Sequence, residues 1–316
     1  MLLTAVLLAA VAVSGWQIIH RSSPLVRQWS HSSFPRRRAG PLSVRDSGTT
    51  GGEGEQVLVL LHGLGATGDY FGAFYDGLAR QRRVVIVDLL GFGGSLDEDR
   101  TEFAIEDHVA AIDQALDALG VGAIDVVLAA HSMSTAIALT WADRHRERTA
   151  HVYLWGAPIY PSDTAAESVG KEYGLMGRLF VLDTRWAQWA CRLNCLDRDV
   201  SGRMMVAMAP RWPSRLSSDA AHHTWEAYHQ SLRSLILDFK WTTVLPASCP
   251  VTFFSGADDP IGDKSYIAQV AGRAKIVEVP SADHHVALQH PELLANALEG
   301  SEHTRATGDG VPPVDG

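Results

Sequence analysis

Four apolar runs punctuate the first half of the chain: "QVLVLLHG", "RVVIVDLLGFGGS", "AIDVVLAA" and "AHVYLWGAP". Each is continuous rather than alternating and ends in small or turn-forming residues. A strand with one wet face alternates apolar and polar positions, so continuous runs of this length predict strands buried on both faces. Segments of helical period lie between them. Phe103, Ile105, Val109, Ile112, Leu116 and Leu119 recur at helical spacing, and Gly120 follows as a C-terminal stop. "DYFGAFYDGLAR" and "MSTAIALTWADRH" read as two further helices, and "PLSVRD" as a candidate first strand. The alternation predicts an α/β fold: a mostly parallel central sheet flanked by helices.

The pattern changes after Pro158. From there to about Leu245 the segments are helical and no strand is convincing. Trp186, Trp189, Trp212 and Trp225 fall here, with Met176, Met204, Met205 and Met208. Strand-like runs return with "PVTFFSGADDP" and "AKIVEVPSADHH". An all-helical cap inserted between the halves of the sheet is therefore expected, over the C-terminal strand ends where such sheets bind ligands. The core is assigned to residues 41–157 and 246–300, the cap to 158–245, and a disordered tail, rich in Gly, Pro and polar residues, to 301–316.

Residues 1–19 carry no charged side chain. At about 1.5 Å per residue a helix of that length just spans a thin hydrocarbon core. A single-pass anchor is the leading reading. A cleaved signal peptide, with Ala10-Val11-Ala12 as the cleavage site, and an organellar presequence are the alternatives. Residues 20–40 read as a basic linker. The arginines on the C-terminal side would keep the main domain cytoplasmic, whereas signal cleavage would leave it secreted. The basic stretch also suits anionic lipid, so residues 1–38 are a candidate membrane contact.

Composition narrows the function classes. The chain has 316 residues, 46% hydrophobic and 20% charged, enough for one large core or a core with a lid. A net charge of -9 argues against nucleic acid as a partner. Cys191, Cys195 and Cys249 form no disulfide framework and no zinc spacing. Cys191 and Cys195 would face one side of a helix and read as buried thiols. His222, His223 and His229 read as a polar helix face, and no metal or cofactor is expected.

The candidate chemistry sits at predicted strand ends. His62-Gly63-Leu64-Gly65 follows one strand, and Asp88 with "GFGGS" follows the next. His131-Ser132-Met133 stands between strand and helix, Asp259-Pro260 follows a later strand, and His284 lies seven residues before Pro291. Together, over about 41–300, these resemble the α/β-hydrolase family, in the capped branch of esterases, lipases, haloperoxidase-like enzymes and carbon–carbon bond hydrolases. "GLGATG" lacks the lysine of a phosphate loop.

A nucleophile on a sharp strand-to-helix turn has a strained backbone and close neighbours, so residues two before and two after it must be small. Ala130 and Ser134 meet that need without being glycine, and glycine at both positions should be tolerated. The resemblance implies Ser132 as nucleophile, His284 as its base, and the backbone N–H groups of Leu64 and Met133 as oxyanion donors. His285, adjacent, should point elsewhere. The resemblance also implies Asp259 rather than Asp258 as the carboxylate that orients the histidine, since family members commonly carry Asp-Pro here and the residue before proline is held extended. The order Ser, Asp, His is the hydrolase order. A serine nucleophile disfavours the dehalogenases and epoxide hydrolases of this fold. The expected activity is hydrolysis of a small-molecule ester with an apolar acyl group. Carbon–carbon hydrolysis, perhydrolysis and non-catalytic ligand binding are the alternatives.

Overall fold

The computed structural model describes residues 2–48, 56–166 and 185–300; for residues 2–10, 186, 187 and 190 the description is of the backbone alone. Among the described residues eight strands form one sheet: β1 (Arg36–Ala39), β2 (Leu42–Asp46), β3 (Gln56–Leu61), β4 (Arg83–Asp88), β5 (Asp125–His131), β6 (Thr149–Trp155), β7 (Val251–Gly256) and β8 (Lys275–Val279). Their order is β1-β2-β4-β3-β5-β6-β7-β8. β1 and β2 join antiparallel and the rest run parallel. Among the described residues the α-helices are α1 (Leu2–Ser22), α2 (Pro24–Gln28), α3 (Ile105–Ala118), α4 (Ser134–Arg144), α5 (Arg185–Leu196), α6 (Arg198–Met208), α7 (Ser214–Asp219), α8 (Trp225–Leu232), α9 (Lys264–Val270), α10 (Val286–Gln289) and α11 (Pro291–Glu299).

The continuous apolar runs are buried on both faces because two cores need them. Val57, Val59 and Leu61 of β3 face Ile112 and Leu116 of α3 and Ile137 of α4. Leu58 and Leu60, pointing the other way, join Phe71, Tyr75, Leu78 and the α11 residues Leu294 and Leu298. Period-two alternation survives in three dimensions, although both sets are apolar in sequence.

Two local expectations are corrected. "DYFGAFYDGLAR" forms two short 3-10 turns, Gly68–Phe71 and Asp76–Arg80, rather than a helix. Gly72 breaks it: its φ is +55°, and a Cβ there would lie 2.7 Å from the Ser30 carbonyl oxygen and from Trp29 Nε1. The basic stretch 20–40 is more structured than a linker, holding the end of α1, α2 and the edge strand β1. No apolar period marks it because ion pairs hold it: Arg36 reaches Asp69 at 3.3 Å and Asp88 at 3.1 Å. An edge strand rich in charge is also protected from pairing with other chains.

Between β6 and β7 the described residues hold helices and no strand, apart from one isolated bridge from His223 back to Phe92. Met176, the side chain of Trp186 and the tail 301–316 lie outside the described residues. The end of α1 rests on this insertion. Trp16 Nε1 donates to the Ala207 carbonyl at 3.1 Å, His20 Nδ1 lies 2.9 Å from the Pro210 carbonyl, and Ser23 Oγ donates to the Arg211 carbonyl at 2.6 Å. Among residues with described side chains, no helix is long and apolar enough to cross a membrane.

Candidate active site

Ser132 follows β5 directly, with φ +54°, a left-handed conformation costly for a residue with a side chain. Its N–H donates to the Trp155 carbonyl at 3.0 Å, tying the turn to the end of β6. α4 starts two residues later. Ala130 and Ser134 are fully buried, as a tight elbow requires. Size is only part of it. Ser134 Oγ accepts from the His131 N–H at 3.0 Å and donates to the carbonyl of Leu61 or of His131, both 2.9 Å away. Glycine at 134 would fit the turn but would forfeit bonds that join β3, β5 and the turn.

Asp259 is buried beyond the end of β7, with Oδ2 at 3.1 Å and Oδ1 at 3.2 Å from His284 Nδ1. Oδ1 also accepts from the Ile261 N–H at 2.8 Å, which fixes the carboxylate plane. Asp258, by contrast, is exposed. His284 approaches closely over Gly156, where a Cβ would lie 2.7 Å from Cε1 and 2.8 Å from Nδ1 of the imidazole. "WGAP" at the end of β6 thus carries no acid and instead leaves room for the histidine.

Ser132, His284, Gly63 and Leu64 line one cavity of about 410 Å³, whose far wall is Met205, Met208, Trp212 and Leu216 of the helical insertion. Met133 is buried at the start of α4, so its amide belongs to the helix N-terminus beside Ser132. His285 lines the same cavity, which overturns the expectation that it points elsewhere. Its imidazole stands edge-on to Trp212 at 4.6 Å, and burial pushes its pKa down to about 4. The hydrogen bond with Asp259 belongs to His284.

Three further residues were not assigned roles by the sequence. His131 stacks on Tyr70 at 4.6 Å, and its Nε2 lies 3.0 Å from the His284 carbonyl, which can only accept. The proton therefore sits on Nε2, and burial holds the ring neutral, well below the usual histidine range. His62 is likewise fixed. Nε2 accepts from the Leu89 N–H at 2.9 Å, so Nδ1 carries the proton and donates to the Gly63 carbonyl at 2.8 Å. His62 shapes the Gly63–Leu64 loop and has no nitrogen free for proton transfer. Asp219, on the cavity wall, accepts from Thr67 Oγ1 at 2.6 Å and pairs with Arg215 at 3.0 Å. Burial raises its pKa, against the opposing effects of Thr67 and Arg215. Its partner Thr67 lies 152 residues away, and no local motif marks it.

Among the described residues, one group of three could hold a metal ion: Cys191, Cys195 and His223, within the insertion.

A model of the Alpha/beta hydrolase family matches residues 58–297. A 1-acylglycerol-3-phosphate O-acyltransferase of Arabidopsis thaliana is 30% identical over 118 residues, which is 37% of this chain but only 28% of the plant protein's length. A (lyso)-N-acylphosphatidylethanolamine lipase of Mus musculus is 24% identical over 77% of this chain and 78% of its own. Among solved structures, a bacterial membrane phospholipase A superposes with a TM-score of 0.62 at 22% identity, covering 96% of this chain and 99% of that one. At that identity the likeness is one of fold.

Proposed function

This chain belongs to the alpha/beta hydrolase family; from that premise we propose that it is a serine hydrolase cleaving carboxylic esters of apolar acyl groups. The observation that carries the reading is the contact between buried Asp259 and His284 Nδ1 at 3.1 Å, with His284 and Ser132 on the wall of one cavity.

A serine hydroxyl needs a base to become nucleophilic. Asp259 holds Nδ1 of His284, so Nε2 is the nitrogen that takes the Ser132 proton as Oγ attacks the ester carbonyl. The negative charge then formed on the carbonyl oxygen is met by the N–H groups of Leu64 and Met133; such donors contribute about two to three orders of magnitude in rate. His284 passes the proton to the leaving alcohol. It then activates water, which releases the acid and restores Ser132.

The acyl group is read from the wall. Met205, Met208, Trp212 and Leu216 offer apolar area and no charge. The lipase and phospholipase among the similar proteins act on lipids, which is consistent with a lipid ester here. Membrane attachment through α1 belongs to the same proposal, with the main domain on the cytoplasmic side. Val11, Val13, Ile18 and Ile19 of α1 are exposed, and the helix ends against the segment that carries Met205 and Met208. A lipid would thus reach the cavity from the surface in which α1 is held.

Labelling with a fluorophosphonate, followed by turnover of nitrophenyl esters of increasing chain length, tests the reading. Wild type is expected to label and to prefer long acyl chains. Ser132→Ala is expected to lose labelling and about 10³-fold or more in kcat. Folded wild type that does not label sinks the serine-hydrolase proposal.

A further inference from the structure

We infer that Cys191, Cys195 and His223 form a binding site for a soft divalent cation of the zinc class. The sequence carries no zinc-site spacing, because the third ligand comes from a separate segment. Cys191 and Cys195 lie one turn apart on α5, while His223 comes from the loop between α7 and α8, 28 residues beyond Cys195. The fold brings one ligand atom of each within 4.8 Å of the others.

The spacing is that of a coordination sphere. Tetrahedral zinc with Zn–S of about 2.3 Å and Zn–N of about 2.0–2.1 Å sets its sulfur and nitrogen ligands about 3.6 Å apart. Cys191 Sγ and His223 Nε2 are 3.4 Å apart. Cys191 and His223 are buried and Cys195 half-buried, so an ion would be shielded yet reachable from one side. Without the ion, thiol hydrogen bonds hold the same atoms: Cys191 Sγ faces Nε2, and Cys195 Sγ donates to the His223 carbonyl at 3.3 Å. On binding, the two thiols release two protons to solvent and the two thiolates neutralise the dication. Thiolate and imidazole select zinc or related soft ions over magnesium or calcium. The fourth position falls to water.

The site is placed to brace the insertion. His223 bridges to Phe92, and the Gly93 N–H donates to the His222 carbonyl at 2.9 Å. Asp219 and Ala220, just upstream, line the cavity of Ser132. A cation here would clamp α5 onto the loop that roofs the cavity. The ion touches no reacting group, so the inference stands apart from the ester reading.

The test uses the full chain, reduced and stripped of metal with a chelator, then titrated with cobalt(II) and back-titrated with zinc(II). Wild type and Cys249→Ser are expected to bind about one equivalent, with thiolate-to-cobalt charge-transfer absorption that zinc bleaches. The Cys191→Ser/Cys195→Ser variant should lose that absorption and bind more than about a hundredfold more weakly, beyond the loss typical of an outer-shell partner. Near-ultraviolet circular dichroism checks that the variant is folded. Fully reduced wild type with no thiolate–cobalt absorption overturns the inference without reference to any variant. Equal cobalt binding by wild type and the double variant overturns it too, since the ion then sits elsewhere.

Discussion

Ser134 has a hydroxyl where the elbow needs only a small side chain, and that hydroxyl ties Leu61 and His131 together inside the core. Removing it strands a buried N–H and weakens the hold on a buried carbonyl. Ser134→Ala and Ser134→Gly should therefore each lower the unfolding free energy by about 1–3 kcal/mol, read by urea denaturation. A wild-type midpoint in both would refute the account. Gly156 makes a different demand. Gly156→Ala adds a methyl group within 2.8 Å of the His284 ring and strains a backbone at φ +59°. Displacing a catalytic group by about an ångström typically costs about a hundredfold, so kcat should fall by that order while KM for a short ester stays put. Unchanged kcat would mean that His284 is not held where the ester reading needs it. At this scale the placing of Asp259, rather than Asp258, against His284 was legible, from the Asp-Pro pair that carries the family resemblance and from the restriction that Pro260 sets on the residue before it. The second role of Ser134 was not legible, because its partner Leu61 lies 73 residues away and has no side-chain signature.

Between elements, buried histidines make the packing sensitive to acid. His108 of α3 is fully buried against Ser231 of α8, and burial holds its pKa down to about 3; His223 and His285 are held at about 4. Each lies below the unfolded value of about 6.5. The native state therefore refuses protons that the unfolded chain accepts, and stability falls as pH drops. It should be level above about pH 7, decline from about 6.5 and keep declining toward 4. Denaturation at pH 8, 6 and 5 should show that slope, and His108→Gln should flatten it; a profile unaffected by the substitution would remove His108 from the account. Arg215 links elements through charge. It pairs with Asp69 at 2.9 Å and Asp219 at 3.0 Å, both buried carboxylates. Arg215→Ala should destabilise by about 2–3 kcal/mol, since Asp219 loses its cation while Asp69 keeps Arg45. Thermal melting checks this. Helix α3 was plain in sequence because its own period records the face it buries. The failure of "DYFGAFYDGLAR" to form one helix was not, because the cause is the approach of Ser30 and Trp29 to Gly72.

For the molecule as a whole, α1 and the insertion form one continuous feature. Deleting residues 1–22 should move the protein from the membrane fraction to the soluble one, read by fractionation. It should also remove the Trp16 and His20 contacts to the insertion and raise KM for long-chain esters more than for short ones. Full-length protein found wholly in the soluble fraction would end the membrane proposal. The parallel sheet, its helical flanks and the break between β6 and β7 followed from the sequence alone, because burial of apolar residues is written locally, as period and run length. So were the positions of Ser132, Asp259 and His284, since each sits at a strand end marked by glycine, proline or histidine. What only the tertiary structure decided are the contacts between distant segments. These are the Ser134 tie, the His131 hold on His284, the entry of His285 into the cavity, the Asp219–Thr67–Arg215 wall and the meeting of two cysteines with His223. None has a local signature, because hydrogen bonds and ligand sets depend on distance in space, and sequence spacing records that distance only within one helix or strand.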